Sequence, residues 1–151
     1  MASGHMSQPK KSVLVINGPN LNLLGTREPA TYGTETLEDV ERRVRGRAAE
    51  LGCEVDFRQS NLEGEIVTWI QKAGDYYDAV ILNPGAFAHY SYAIRDAVTA
   101  GSVRLFEVHI SNIYAREDFR RISVIAPVAA GMITGLGTLG YQLALEAAVC
   151  G

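Results

Sequence analysis

The sequence predicts an α/β protein built as one parallel β-sheet with helices on both faces. Two observations favour this class. Short apolar runs, typical of strands buried on both faces, alternate about five times with longer segments of helical periodicity. The chain of 151 residues is long enough for one such domain and too short for two ordinary ones.

Five segments have the pattern of strands. The first is an uninterrupted run of Val, Leu, Val and Ile, which indicates a strand without a solvent-facing side. Pro84 and Gly85 end the central run, as turn residues do. The predicted strands span residues 13–16, 53–58, 79–82, 105–110 and 123–126.

Helical periodicity is clearest in the segment that begins at residue 37. Thr36 is a suitable N-cap, Asp39 completes a capping-box-like pair, and Gly52 is a C-terminal stop signal. The other predicted helices span residues 66–74, 90–100 and 141–149, with a short charged turn at 116–121. For five strands connected in this way, a flavodoxin-like strand order and three-layer sandwich is the natural choice.

The composition excludes several classes of function. Hydrophobic residues make up 47% and charged residues 21% of the chain, which is typical of a globular protein. The net charge of −3 gives no reason to expect nucleic acid or an anionic membrane as a partner. No apolar run has the length of a membrane-spanning helix. Cys53 and Cys150 lack metal-site spacing, so free thiols and a cytoplasmic location are expected.

The N-terminal residues are set apart from the predicted domain. Residues 1–6 are typical of a cloning scar. We therefore expect residues 1–11 to be a disordered N-terminus and residues 12–151 to form a single flavodoxin-like domain.

The connection between the first strand and the first long helix is unusually long. Residues 17–33 contain two Asn residues near the start, an Arg and a Tyr near the end, and several glycines and prolines. Long loops in compact domains are often functional. Leu21, Leu23 and Leu24 supply apolar anchors, which favours an active-site loop over a disordered one.

Polar residues cluster where predicted strands end, and ligands bind at that edge of a parallel sheet. Strand periodicity puts Glu107, His109 and Ser111 on one face, where burial is costly without a purpose. The alternative is a hydrogen-bonded network that only caps the sheet. The other polar residues at strand ends are Asn17, Asn20 and Asn83.

Several candidates have an equally simple structural explanation. His89 fits a solvated position at the start of a helix as well as a ligand contact, and Asn83 fits a turn-forming role. Asp96 fits a solvated helix face. Arg116 and Arg120, four residues apart, either balance neighbouring acids or form an anion clamp. For the loop, Arg27 fits a surface cation or an electrostatic stabiliser, and Tyr32 a packing anchor.

Known cofactor motifs are absent or misplaced. Gly135, Gly137 and Gly140 match the spacing of a dinucleotide-binding loop, but they precede the last helix instead of the first. Close packing of that helix explains them better. The sequence has no Walker lysine, no nucleophile elbow and no metal-ligand spacing. Neither a cofactor nor a metal is therefore expected.

The remaining residue types suit proton transfer next to a carbonyl group. A Tyr acts as a base when a nearby cation lowers its pKa, and Arg27 is a candidate for that cation. His109 is suited to protonating a leaving hydroxyl, with Glu107 as an orienting partner. Asn20 is suited to donating to a developing enolate.

These residues occur in blocks that resemble the type II 3-dehydroquinate dehydratase family. The first block runs from Asn17 to Gly33, and the blocks continue in the family's order towards the C-terminal helix. They include the sequences around residues 58–61, 83–89, 95–96 and 107–120. The chain departs from the family at Ala88 and Tyr90, where many members have threonines at the pocket wall and subunit contacts.

The resemblance implies a flavodoxin-like enzyme that converts 3-dehydroquinate to 3-dehydroshikimate without a metal or an organic cofactor. It implies that Tyr32 is the base, Arg27 its electrostatic partner on a mobile loop, His109 the acid and Asn20 a support for the enolate. Glu107 and Arg116 would support these groups. It also implies a dodecamer, a tetramer of trimers, in which Asp96 reaches a neighbouring site. The implied substrate-binding residues are Asn83, His89, Asp96, Ile110, Ser111 and Arg120.

Two other functions compete with this one. A non-enzymatic flavodoxin-like binding or regulatory domain would hold a polar ligand at the same strand ends without needing Tyr32 or His109. A different lyase would act on a related cyclic hydroxy-ketone. Formation of a conjugated, ultraviolet-absorbing enone from 3-dehydroquinate distinguishes the first alternative, and substrate analogues distinguish the second.

Overall fold

Five parallel strands form one sheet in the order β2-β1-β3-β4-β5. The computed structural model describes residues 9–26 and 28–151. The observed order is the flavodoxin-like order that the strand count predicted. The strands are β1 (Ser12–Asn17), β2 (Glu54–Gln59), β3 (Ala79–Asn83), β4 (Arg104–His109) and β5 (Gly131–Thr134).

Helices cover both faces of the sheet and give the three layers. The helices α2 and α5 pack on one face, and α3 and α4 pack on the other. No helix in the described part of the chain is long and apolar enough to cross a membrane. The helices are α1 (Pro29–Tyr32), α2 (Leu37–Leu51), α3 (Glu63–Ala73), α4 (Tyr92–Ala100) and α5 (Leu139–Cys150).

The central strand β1 is buried on both faces, as its apolar run predicted. Val13 and Val15 face the α2/α5 layer, whereas Leu14 and Ile16 face the α3/α4 layer. All four side chains are fully buried. Strand β1 therefore joins the two halves of the core.

The predicted ends of α2 are confirmed. The Thr36 side chain accepts a hydrogen bond from the Asp39 N–H, and the Asp39 carboxylate accepts one from the Thr36 N–H. Gly52 follows the helix with a φ of 70°, in the left-handed region that glycine adopts readily. These local signals fix the point where the long loop after β1 ends.

The prediction of a fifth strand at residues 123–126 was wrong. There, the Ser123 hydroxyl accepts hydrogen bonds from the N–H groups of Ile125 and Ala126, which curls the chain into a turn. A 3-10 helix, Ala126–Val128, follows. The fifth strand is the next segment, β5, which pairs with β4 from Phe106↔Gly131 to His109↔Thr134.

Three boundaries near the strand ends also differ from the prediction. His89 closes a 3-10 helix, Gly85–His89, and α4 begins only at Tyr92, after the N-cap Ser91. Strand β4 ends at His109, so Ser111 lies beyond the strand and not on it. The helical turn that was predicted at 116–121 is a 3-10 helix, Asp118–Arg121, which excludes Arg116.

Candidate active site

A pocket opens at the carboxyl ends of β1, β3 and β4, where the strand order reverses and α/β proteins bind ligands. It encloses about 530 Å³ of empty space, part of it open to solvent. The lining residues are the last residues of β3 and β4 and residues of the segments that follow the three strands: Pro19, Asn20, Leu21, Asn83, Gly85, Ala86, His89, His109, Ile110, Ser111, Ile113, Arg116 and Arg120.

A glycine lets the loops after β1 and β3 touch. The Gly18 N–H donates to the Asn83 carbonyl at 2.8 Å. A Cβ atom on Gly18 would lie 2.6 Å from the carbonyl oxygen of Pro84, so any other residue would force the loops apart. The pocket floor is consequently a direct backbone contact between two loops.

Asn20 has a left-handed backbone that its neighbours hold in place. Its φ is 70°, which is uncommon for a residue with a side chain. The Asn20 N–H donates to the Asn61 side-chain oxygen at 3.0 Å, and the Gln59 amide donates to the same oxygen at 3.1 Å. The segment after β2 therefore fixes the direction in which Asn20 faces the pocket.

A buried hydrogen-bonded chain below the pocket joins Asn17, Tyr141 and Asn83. The Tyr141 hydroxyl donates to Asn17 Oδ1 at 2.7 Å and accepts from Asn83 Nδ2 at 2.9 Å. Burial raises the pKa of Tyr141, so its phenol stays neutral and keeps its proton. Asn83 Oδ1 accepts from the Gly85 N–H at 3.1 Å, which fixes the other end of the amide.

Glu107 and His109 form a buried acid–histidine pair. They are two residues apart on β4 and share one face of the sheet, as predicted. His109 Nε2 lies 2.5 Å from Glu107 Oε2, and Glu107 is fully buried. A carboxylate accepts hydrogen bonds, so Nε2 carries a proton and Nδ1 is the ring nitrogen that remains for a ligand.

His89 has the opposite tautomer. Its Nδ1 donates to the Ile122 carbonyl oxygen at 2.8 Å, which leaves Nε2 as an acceptor. Burial lowers the pKa of His89, and the charges of His109 and Arg120 lower it further. The two rings are stacked with centroids 6.3 Å apart. One wall of the pocket therefore offers a neutral acceptor, His89, next to a histidine whose ring is hydrogen-bonded to a buried carboxylate.

Two arginines supply positive charge in the pocket lining. Arg116 Nη1 donates to the Ser111 hydroxyl at 3.3 Å, and its Nη2 lies 3.9 Å from the Glu28 carboxylate. Arg120 Nε donates to Glu117 at 3.1 Å, and this bond is the main reason that the pKa of Glu117 is lowered. Both arginines are largely buried, which suits them to bind an anion.

The glycine-rich stretch before α5 supports the pocket through its backbone. The Gly135 N–H donates to the His109 carbonyl at 3.2 Å, and the Gly137 N–H donates to the Ile110 carbonyl at 3.0 Å. A Cβ on Gly140 would lie 3.3 Å from side-chain atoms of Ile133 and Val108. Close packing of the last helix, the explanation predicted for this glycine pattern, is thus confirmed.

In the long loop after β1, Gly25 lies close to Thr34 and Glu35, so the two ends of the segment between them meet. Gly25 has a φ of 92°, and a Cβ there would lie 3.0 Å from the Thr34 carbonyl oxygen and 3.1 Å from that of Glu35. Arg27 lies outside the described residues, as does the side chain of Tyr32, whose backbone ends α1. The roles predicted for both remain predictions.

Asp96 is not among the residues that line the pocket. It is exposed on α4, on an element that contributes nothing to the described lining. A role for Asp96 in catalysis therefore requires a pocket on another copy of the chain.

Two residues of the site, Tyr141 and Ser123, were not predicted from the sequence. Tyr141 resembled one more apolar residue of the last helix, and Ser123 was assigned to a strand that does not form. The Ser123 hydroxyl lies 2.9 and 2.8 Å from the two oxygens of Glu107. Neither role has a local sequence signal, because Glu107, Asn17 and Asn83, the side chains that the two hydroxyls contact, are distant in the chain.

The described residues form no metal-ion site, and both cysteines are free. Within residues 9–26 and 28–151, no group of three or more His, Cys, Asp or Glu side chains is arranged to hold a metal ion. Cys53 is a buried free thiol and Cys150 an exposed one.

Comparison with known proteins points in one direction. A family model described as "Dehydroquinase class II" matches residues 11–149. A protein named 3-dehydroquinate dehydratase from Pelotomaculum thermopropionicum is 57% identical over 136 residues, covering 90% of this chain and 94% of that protein. The protein of that name from Bacillus licheniformis is 56% identical over 134 residues, covering 89% and 92%.

A solved structure agrees with these sequences. The crystal structure of type II dehydroquinase from Propionibacterium acnes has a TM-score of 0.91 and 45% identity. The match covers 96% of this chain and 100% of that chain.

Proposed function

The chain belongs to the class II dehydroquinase family, and we propose that it is a hydro-lyase that removes water from 3-dehydroquinate to give 3-dehydroshikimate. The reaction would serve the shikimate pathway of aromatic amino acid biosynthesis or quinate catabolism. The observation that carries the proposal is the buried Glu107–His109 pair at the pocket. The His109 ring is stacked with the ring of neutral His89, and the two centroids are 6.3 Å apart. An elimination of water needs proton donors and acceptors but no electron acceptor, so we propose no cofactor.

The first step of the proposed mechanism forms an enolate. The Tyr32 phenolate takes a proton from C2 of the substrate, and the C–H electron pair moves towards the C3 carbonyl. Arg27 stabilises the phenolate and the developing negative charge. Asn20, held with its backbone in the left-handed region by Asn61, helps to hold the enolate through a water molecule.

The second step expels the hydroxyl group. The enolate collapses to form the C1–C2 double bond as the C1–O bond breaks, and His109 donates a proton so that the group leaves as water. His109 uses Nδ1 for this transfer because Nε2 is bonded to Glu107. The bond to the carboxylate holds the ring so that Nδ1 faces away from Glu107 for this transfer.

The remaining pocket residues bind the substrate. Neutral His89 accepts a hydrogen bond from a substrate hydroxyl through Nε2, and the Asn83 amide is oriented by Tyr141 for a similar contact. Arg120 attracts the substrate carboxylate, and Ser111 binds it with the Ile110 backbone. Arg116 supports this group through its bond to Ser111 and its charge.

The proposed assembly is a dodecamer, a tetramer of trimers, in the cytoplasm. Its support is the exposed position of Asp96 on α4, where a neighbouring subunit's pocket can reach it. Exposed aromatic side chains near the pocket, Tyr90 and Phe119, are suitable for subunit contacts. We propose neither nucleic acid nor a membrane as a partner.

An ultraviolet assay tests the activity and the base together. Purified protein mixed with 3-dehydroquinate should give rising absorbance as the conjugated enone forms. Tyr32→Phe should abolish the rise while circular dichroism stays unchanged, because the variant lacks the ionisable hydroxyl. Tyr76→Phe, at a site that is 72% exposed and outside the pocket, is the control. No rise with the unaltered protein would overturn the activity, and near-normal turnover by Tyr32→Phe would overturn Tyr32 as the base.

A further inference from the structure

One short segment contacts both histidine systems of the pocket. In residues 122–126, the Ile122 carbonyl accepts the Nδ1 proton of His89 at 2.8 Å. The next residue, Ser123, places its hydroxyl 2.8 Å from the Glu107 oxygen that also binds His109. The segment therefore influences the protons of two rings without lining the pocket.

Two backbone N–H groups that donate to the Ser123 oxygen fix the direction of its hydroxyl hydrogen. Its oxygen accepts hydrogen bonds from the N–H groups of Ile125 at 3.2 Å and Ala126 at 3.0 Å. A serine hydroxyl has two acceptor positions and one hydrogen, so its hydrogen is left for Glu107. Two incoming donors also polarise the hydroxyl and strengthen the bond that it gives.

The segment is anchored to the neighbouring elements. The Val124 N–H donates to the Ala88 carbonyl at 2.8 Å, and Arg95 on α4 donates to the Val124 carbonyl at 3.2 Å. Val124 and Ile125 are buried in the core layer that includes α3 and α4. Ser123 is thus held between two fixed contacts, as a residue that orients another must be.

We propose that Ser123 is a positioning residue for the acid step: its hydroxyl keeps the buried Glu107 carboxylate ionised and oriented, and thereby keeps His109 ready to donate its proton. The proposal rests on the proposed function, in which His109 protonates the leaving hydroxyl. A buried carboxylate needs its hydrogen bonds to remain charged. Ser123 and His109 are the two side chains that supply them in the described part of the chain.

The charges around His109 make it dependent on Glu107. Among the described residues, His89 faces its ring from the segment after β3, and Arg116 and Arg120 line the pocket from the segment after β4. Glu107 is the negative group in contact with the His109 ring, and the two arginines are positive groups that line the same pocket. Any change in the Glu107 carboxylate should therefore appear in the pH range over which His109 acts.

Ser123→Ala tests the proposal through the pH dependence of kcat. A buried carboxylate that loses a donor holds a shared proton more tightly, so the protonated pair becomes a weaker acid and persists to higher pH. We expect kcat to fall about tenfold and its alkaline limb to move up by about one pH unit, the size of one charge-assisted hydrogen bond. KM should change little, because Ser123 does not line the pocket. Ser123→Thr, which keeps a hydroxyl, should restore the wild-type profile.

Ser91→Ala is a matched control in the same fold. The Ser91 hydroxyl also donates to a carboxylate, that of Glu63, at 2.6 Å. It accepts a hydrogen bond from the backbone N–H of Ile94 at 3.1 Å. This control should lose similar stability and leave the alkaline limb in place. An unmoved limb in Ser123→Ala, or a loss of kcat no larger than in Ser91→Ala, would overturn the positioning role.

A readout without turnover separates this proposal from the proposed function. The chain has three histidines, so NMR of ¹³C-labelled histidine resolves the His109 ring, assigned by its loss in His109→Gln. The His109 titration should move to higher pH in Ser123→Ala even if 3-dehydroquinate is not the substrate of the protein. If the unaltered protein does not act on 3-dehydroquinate, the proposed function fails while this shift still reports on Ser123. An identical titration in both proteins would overturn the link between Ser123 and His109.

Discussion

Two histidines in the pocket receive different chemical roles from one hydrogen-bond partner each. A backbone carbonyl at residue 122 holds His89 with its proton on Nδ1, and a buried carboxylate holds His109 with a proton on Nε2. The sequence predicted the second pair, because Glu107 and His109 are two residues apart on one strand and therefore share a face. It did not predict the first, because Ile122 and His89 are 33 residues apart.

The lowered pKa of His89 predicts a pH dependence of stability. The free energy of unfolding should decrease as the pH falls below about 6.5, since the unfolded chain then binds a proton that the folded chain resists. The decrease should continue down to the folded-state pKa and be smaller in His89→Gln. Urea denaturation from about pH 8 to about pH 5 measures it. His5→Gln is the control, and equal slopes in the His89 variant and the unaltered protein would contradict the assignment.

Arg27 should matter more for the transition state than for binding. Arg27→Ala should lower kcat by about 10²-fold, as the loss of one charge-stabilising donor does, with a much smaller change in KM. Steady-state assays of this variant and of Arg42→Ala, a control at a position where the side chain is 74% exposed, test the expectation. A kcat equal to that of the unaltered protein would count against a catalytic loop.

At the scale of elements, predictions held where the signal was local. The Thr36–Asp39 capping box and Gly52 gave the ends of α2. The fifth strand was misplaced because residues 123–126 include the β-branched pair Val124 and Ile125, whereas the true β5 begins with glycine and is four residues long. What decides between them is a hydroxyl–backbone turn and pairing with β4, and neither is visible in periodicity.

Helix α5 should affect substrate binding through Tyr141. In Tyr141→Phe, Asn83 loses its hydrogen-bond acceptor and Asn17 its donor, and leaving buried polar groups unpaired costs about 1–3 kcal/mol of stability. The freed Asn83 amide should raise KM more than it lowers kcat.

Kinetics and urea denaturation together test this role. Tyr77→Phe is the matched control: it also removes a hydroxyl that is bonded to Asp56 and Arg58, but outside the pocket. A rise in KM of the same size in both variants would show that the Tyr141 effect is not specific to the pocket.

At the scale of the whole molecule, the strand order brings distant segments to one place. The reversal between β1 and β3 sets the loops after these strands side by side, and β4 adds Glu107 and His109 next to them. The family resemblance inferred from the sequence blocks is confirmed by the match over residues 11–149. The motifs were recognisable before the fold was known because each one is contiguous in sequence. Their meeting point depends on the topology.

Mixed assemblies test whether Asp96 acts in a neighbouring subunit. Asp96→Ala and His109→Gln should each be nearly inactive alone. Coexpressed in equal amounts, they should regain about a quarter of the wild-type activity, because in a symmetric ring a site needs His109 from one subunit and Asp96 from the next. Sedimentation should give the same assembly for all three preparations. A mixture as inactive as its components would show that Asp96 does not act across subunits.

The close approach of Gly25 to the carbonyls of Thr34 and Glu35 has a consequence for the length of the loop. Because the two ends of the intervening segment already touch, its length is uncoupled from the spacing between β1 and α2. Lengthening a closed excursion of this kind costs only about 0.6 kcal/mol per doubling. A change in the number of residues between Gly25 and Thr34 should therefore leave the sheet unchanged. Gly25 itself cannot be replaced as freely, because a Cβ there would lie 3.0 Å from the Thr34 carbonyl oxygen.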